Sequence, residues 1–187
     1  QSFAFKRPNR EMLLELVRDV AKREGFKIEP EAAELIAILA DGSFRDAQGI
    51  LQKVMSGSRD KTISRAEVEL VTGAPKAELL HQIVKSIAEK NGGCGLKAIR
   101  EASSQNIDMK VMGKLILEKL RLILLLRYAE HLDASIKEEV GEEEHKFLKE
   151  FAGKKGEHIN SATLLEFLNA YDYLGRTAVP SLPLELA

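Results

Sequence analysis

Apolar residues recur along this chain at the three-to-four-residue spacing of amphipathic helices. In PNREMLLELVRDVAKREG, Met12, Leu13, Leu16, Val17, Val20 and Ala21 form one stripe, and Gly25 stands where a helix C′ residue stands. PEAAELIAILAD follows, with Pro30 at the favoured first helical position. Its apolar residues surround the axis, which predicts a second helix buried on most sides. In SFRDAQGILQKVMSG, Phe44, Ala47, Ile50, Leu51 and Val54 share one face of a third helix that ends at Gly57. Ser43 and Asp46 have the spacing of a capping box at its start. Ser64 and Glu67 repeat that spacing before a short fourth helix, with Ile63 and Val68 placed as a hydrophobic staple.

Gly73 stops the fourth helix and Ala74-Pro75 restarts the chain, which places a domain boundary between 1–73 and 74–187. The helices then lengthen. PKAELLHQIVKSIAEK carries Leu79, Leu80, Ile83, Val84 and Ile87 as its stripe, and NGGCG (91–95) reads as an interhelical turn. Asp108 is placed to cap a long helix running to about His131. A charged helix (SIKEEVGEEEHKFLKEFA) and a final one from Ser161 to about Gly175 follow. The tail AVPSLPLELA reads as extended, leading into a last helix that the sequence cuts short. No alternating pattern demands a strand, so the expected fold is all-α in two subdomains.

Composition narrows the functional classes. The chain has 187 residues, 44% hydrophobic and 30% charged, with a net charge of −1. That balance excludes a globally basic nucleic-acid binder, and 5% aromatic residues with no Trp argue against a base-stacking platform. The single Cys94 fits a reducing, cytoplasmic setting. The most apolar stretch, 111–126, carries Lys114, Glu118, Lys119 and Arg121, so no membrane span is expected. The opening QSFAFKRPNR has neither an initiating Met nor a signal-peptide core, which points to a piece cut from a longer protein.

Catalytic signatures are missing from the pattern. NGGCG lacks the Lys-Ser/Thr of a phosphate loop, and His81, His131, His145 and His158 show no metal-ligand spacing, so no metal is predicted. Glu138, Glu139, Glu142, Glu143 and Glu144 point around a helix and read as a solvated face, with His145 solvated among them. LRLILLLRYAEHL is apolar all round, as a central core helix or a helix docking on another subunit would be.

Arg45 is the anomaly. It is the second residue of the Ser43-capped helix, where its charge opposes the helix dipole. Two readings fit: a solvated side chain pairing with Asp41 or Asp46, or an arginine that joins the helix N–H groups in holding an anion, above all a phosphate. Lys6, Arg7 and Arg10, flanked by Phe3 and Phe5, form either an ordinary basic surface or a further phosphate contact.

ADGSFRDAQGIL resembles the sensor-2 helix of AAA+ clamp-loader ATPases, most closely the gamma/tau family of bacterial DNA polymerase III. FAFKRP resembles the segment after that family's arginine-finger motif, and VPSLPLELA resembles the close of its third, collar domain. The likeness is specific at GS-x-RDA and PLELA and soft between them. Gln48, Gly49, Gln52 and Lys53 depart from the residues common there.

The resemblance implies a helical AAA+ lid over 1–73 and a helical-bundle collar, or oligomerisation domain, over 74–187. By the same likeness Arg45 meets the γ-phosphate of ATP, with Lys6 and Arg7 as weaker contacts. The partners implied are other clamp-loader subunits through the collar, and the sliding clamp, primed DNA and polymerase through the whole complex. Neither G-x-x-x-x-G-K-S/T nor a Walker B acid run is present, so ATP hydrolysis by this chain alone is not expected. The rival expectation is a free-standing helical adaptor that binds a protein through the leucine-rich helix.

Overall fold

The computed structural model describes residues 8–58 and 60–187. They are almost wholly α-helical and fall into two compact units, Gln1–Thr72 and Gly73–Ala187.

The first unit is built around α2 (Pro30–Leu39), on which α1 (Arg10–Arg23), α3 (Phe44–Gly57) and α4 (Arg65–Thr72) pack. Ala32, Ala33, Leu35, Ile36, Ala37 and Ile38 of α2 are all buried, as its unbroken apolar circumference requires. Full burial of each Leu or Ile side chain contributes about 1.5–3 kcal/mol. The stripe of α1 is rotated from the expected one. Leu13, Leu14, Val17 and Ala21 are buried, whereas Met12 is exposed. On α3, Ala47, Leu51 and Val54 are buried while Phe44, expected on the same face, is exposed.

The unit also contains a short parallel pairing that the pattern does not announce. Lys27–Ile28 (β1) lies beside Thr62–Ile63 (β2), with Lys27 N donating to Lys61 O at 2.8 Å and Glu29 N to Ile63 O at 3.0 Å. Two residues are too few to show an alternation. The α4 capping box is complete. Ser64 N donates to Glu67 Oε2 at 2.8 Å, Glu67 N donates to Ser64 Oγ at 3.3 Å, and the staple residues Ile63 and Val68 are fully buried.

The second unit is organised by α7 (Met109–Tyr128), packed by α5 (Ala77–Ala88), α9 (Glu142–Ala152) and α10 (Ser161–Tyr173). α6 (Gly92–Ser104) lies against α5, and α11 (Leu182–Leu186) against α10. Asp108 caps α7 as expected, accepting from Lys110 N at 2.7 Å and Val111 N at 3.3 Å. That helix ends at Tyr128, before a 3₁₀ turn at Glu130–Leu132.

Two expectations about helix boundaries fail in this unit. NGGCG is not an interhelical break: Asn91 caps α6, accepting from Cys94 N at 3.3 Å, and the glycines form its first turn. The reversal lies one residue earlier, where Lys90 adopts a φ of 53°. The charged helix is in fact two, α8 (Asp133–Val140) and α9, separated by Gly141 at a φ of 84°. L side chains rarely take that conformation, so a glycine there turns the chain without strain. Among the described residues no helix is long and apolar enough to cross a membrane.

Candidate functional site

The α2–α3 junction sets the position of Arg45. Asp41 and Gly42 both take positive φ values, 50° and 78°, which reverse the chain within two residues. Ser43 then adopts extended geometry and its Oγ accepts from Asp46 N at 3.2 Å. Only half of the expected box forms, because Ser43 N already donates to Ala40 O at 2.9 Å and leaves the Asp46 carboxylate nothing to close on. Ala47 N closes the first intrahelical bond, on Ser43 O at 3.1 Å. The N–H groups of Phe44 and Arg45 precede that bond and point outward from the helix end.

Arg45 is exposed and makes no ion pair with a described residue, so local pairing with Asp41 or Asp46 is not what holds it. Arg45 and the two N–H groups stand at the positive end of a 14-residue helix, donors all. Such a set suits an oxyanion chemically. Lys6 and Arg7, with Phe3 and Phe5, lie outside the described residues. Arg10 is engaged elsewhere: its Nη2 donates to Glu34 Oε1 at 2.8 Å, neutralising the buried carboxylate on α2.

The second unit holds polar groups that the pattern misplaced. Glu144 and His145 are buried, not solvated. Glu144 joins three helices, accepting from Lys119 of α7 and lying 2.8 Å from His81 Nε2 of α5. The His81 ring stacks on Phe147 at a centroid distance of 3.7 Å, which fixes its plane. Burial pushes the Glu144 carboxyl up, but the His81 hydrogen bond and the charge of Lys119 outweigh it and hold the group down at about 2. His145 Nε2 lies 3.1 Å from Asp133 Oδ1, and Lys149 Nζ donates to the same oxygen at 2.9 Å. The Lys149 hydrogen bond, opposed by desolvation and aided by His145, keeps Asp133 below the ordinary carboxylate range.

Arg127 was singled out by no motif. At the end of α7 its guanidinium donates to four backbone carbonyls: Ala152 at 2.8 Å, Ile159 at 2.6 Å, Phe151 at 3.0 Å and Gly156 at 2.7 Å. These lie on the corner between α9 and α10, where Gly156 O also accepts from Ile159 N at 2.8 Å. Both the Glu144 cluster and this clamp bind elements of the unit to one another, and neither forms an open reaction centre.

No protein-family model matches the chain. It is 41% identical over 69 residues to the DNA polymerase III subunit gamma/tau of Mycoplasma genitalium, a match covering 37% of this chain and 12% of that protein. It is 30% identical over 108 residues to the DNA polymerase III subunit tau of Bacillus subtilis, covering 58% of this chain and 19% of the relative. The chain is homologous to the DNA polymerase III gamma/tau subunits. The tau subunit of Salmonella typhimurium extends the likeness to 65% of this gamma/tau-related chain, at 26% identity over 121 residues and 18% of the relative. The chain thus spans less than a fifth of the length of these gamma/tau proteins.

Proposed function

We propose that this gamma/tau homologue carries the lid and the collar of an AAA+ clamp-loader subunit, the first unit sensing nucleotide and the second joining subunits. The observation that carries the reading is Arg45: an exposed arginine, without an ionic partner among the described residues, at the N-terminus of a capped helix. In the full protein the lid closes over ATP held by an ATPase core, and Arg45 donates to the γ-phosphate. Loss of that phosphate removes the contact, so the open and closed states differ in affinity for ATP, as a switch requires. Lys6 and Arg7 add positive charge near the same nucleotide.

The second unit is the collar, packing against other clamp-loader subunits in the cytoplasm. Through the whole complex the protein meets the sliding clamp, primed DNA and the polymerase. Hydrolysis belongs to the core, whose phosphate-loop and Walker B sequences this chain lacks. Catalysis by the chain alone is not part of the reading.

Replacing Arg45 by Ala in the full-length protein tests it. ATP-dependent clamp loading is expected to fall by about tenfold or more, the worth of one or two charge-assisted hydrogen bonds. Stability is expected to stay within about 0.5 kcal/mol, because the side chain is exposed. Unchanged loading would refute the sensor role.

A further inference from the structure

We infer that Gly49 is a positioning residue for lid closure: the core that holds ATP closes against the backbone of α3 there, one helical turn beyond Arg45. The inference rests on the nucleotide-sensing half of the reading above and extends it from the phosphate to the surface that brings the phosphate in.

Gly49 lies well inside the 14-residue helix α3. Glycine in a helix interior is destabilising relative to alanine, because it gives up more backbone freedom on folding. Nothing among the described residues accounts for it. A Cβ added at Gly49 meets no atom within 4 Å, and its backbone does not take the positive φ that favours glycine. Gly95 and Gly113 are also helical, and each has a neighbour that requires it. An added Cβ would lie 2.8 Å from Ser86 Oγ at Gly95 and 2.7 Å from Leu174 Cδ1 at Gly113. Gly57, Gly92 and Gly93 stand at helix ends, outside the interior where glycine is costly.

Position along the helix gives the direction of approach. Ala47, Leu51 and Val54 are buried against the unit, whereas Arg45, Gln52 and Ser56 are exposed and Gly49 is half-buried. At 3.6 residues per turn, Arg45, Gly49, Gln52 and Ser56 fall on one line down the face opposite the buried one. Gly49 is about 6 Å along the axis from Arg45. A body that brings a phosphate to Arg45 meets α3 along this line. At Gly49 the missing side chain lets that body come closer to the helix backbone than any other residue allows. The gamma/tau relatives have most of their length outside the span matched here, which leaves room in the full protein for the ATP-holding core as the occupant.

Gly49→Ala and Gly49→Met test the assignment in two settings. In the 187-residue chain both are expected to raise the urea unfolding midpoint, since each adds a good helix former with open space around it. In the full-length protein, affinity for a non-hydrolysable ATP analogue is expected to fall about tenfold or more for Gly49→Met, as overpacking of a closed contact does. Gly49→Ala should lose less, and ADP affinity should stay near wild type, because the closed state is the triphosphate-bound one. Stability gained with affinity lost is a combination that a purely structural role does not produce. Unchanged analogue affinity in Gly49→Met overturns the inference. So does a lowered midpoint, which places the neighbour of Gly49 within the chain, or light scattering in which Gly49→Met separates two copies. Loss of triphosphate preference in Arg45→Ala but not in Gly49→Met keeps the sensor and removes this contact. The reverse pattern removes the sensor and keeps the contact.

Discussion

Replacing Arg127 by Ala is expected to destabilise the second unit by about 3–5 kcal/mol, the loss of several hydrogen bonds to one charged donor. A typical hydrogen bond to a charged group contributes about 1.5–3 kcal/mol, and Arg127 donates to four carbonyls with distances of 2.6–3.0 Å. The contributions do not add in full, because the guanidinium must itself leave water and lose rotamer freedom. The larger effect is on what remains. Without the guanidinium, the carbonyls of Phe151, Ala152, Gly156 and Ile159 lose that charged donor, and Gly156 alone keeps the bond from Ile159 N. Arg127→Lys is expected to recover less than half the loss, since an ammonium cannot reproduce a planar fork reaching both sides of the corner. Urea unfolding of the chain, followed for the transition of the second unit, measures both variants. A loss under about 1 kcal/mol for Arg127→Ala would show that solvent satisfies the corner.

Glu144→Ala is expected to cost a similar amount, again about 3–5 kcal/mol, because it removes the buried carboxylate to which the buried Lys119 ammonium donates. Glu144→Gln should cost less, since an amide can still accept from Lys119. Removing both charges together, as Lys119→Met with Glu144→Leu, is expected to be far milder than Glu144→Ala alone. A buried pair costs desolvation at both ends, and an apolar pair of similar volume avoids it.

The same carboxylate sets an acid limit. Its folded-state value of about 2 lies below the ordinary 4.5, so the protonated form is disfavoured in the fold. The resulting stability, about 3 kcal/mol, is present above the unfolded value and is lost as pH falls from about 4.5 towards 2. Unfolding free energies measured from pH 6 to pH 2 should therefore fall less steeply in Glu144→Gln than in the wild type. Equal slopes would remove Glu144 from the acid response.

The features legible in the sequence are those whose physics is local. Ser43, Ser64 and Asp108 cap the helices their spacing announced, because a cap reaches only two or three residues along the chain. Pro30 and the apolar circumference of α2 foretold a buried helix for the same reason. Legibility ends where a partner comes from elsewhere in the chain. Glu144 looked solvated because its neighbours in sequence are acidic, yet Lys119 and His81 reach it from α7 and α5. Arg127 belongs to no sequence motif, and only the return of residues 151–159 gives it four acceptors.

The glycines divide along the same line. Gly141 interrupts a continuous charged pattern without any other punctuation, so periodicity ran through it. NGGCG looked like a break because glycine is a poor helix former, but Asn91 starts a helix there. Gly95 fits because it lies against Ser86, whose Oγ would be 2.8 Å from an added Cβ. Arg45 shows both sides. Its place in the first turn was readable from S-x-x-D, whereas the incomplete capping box depended on the Ala40 carbonyl claiming Ser43 N first.

The central claim is that Arg45 reports the γ-phosphate, and nucleotide discrimination tests it most directly. In the full-length protein carrying this chain, the affinities for a non-hydrolysable ATP analogue and for ADP are measured with and without Arg45→Ala. The account predicts that the wild type prefers the triphosphate and that the variant loses about tenfold or more of that preference, with ADP affinity little changed. An unchanged ratio of the two affinities, in a variant that remains folded, would contradict it.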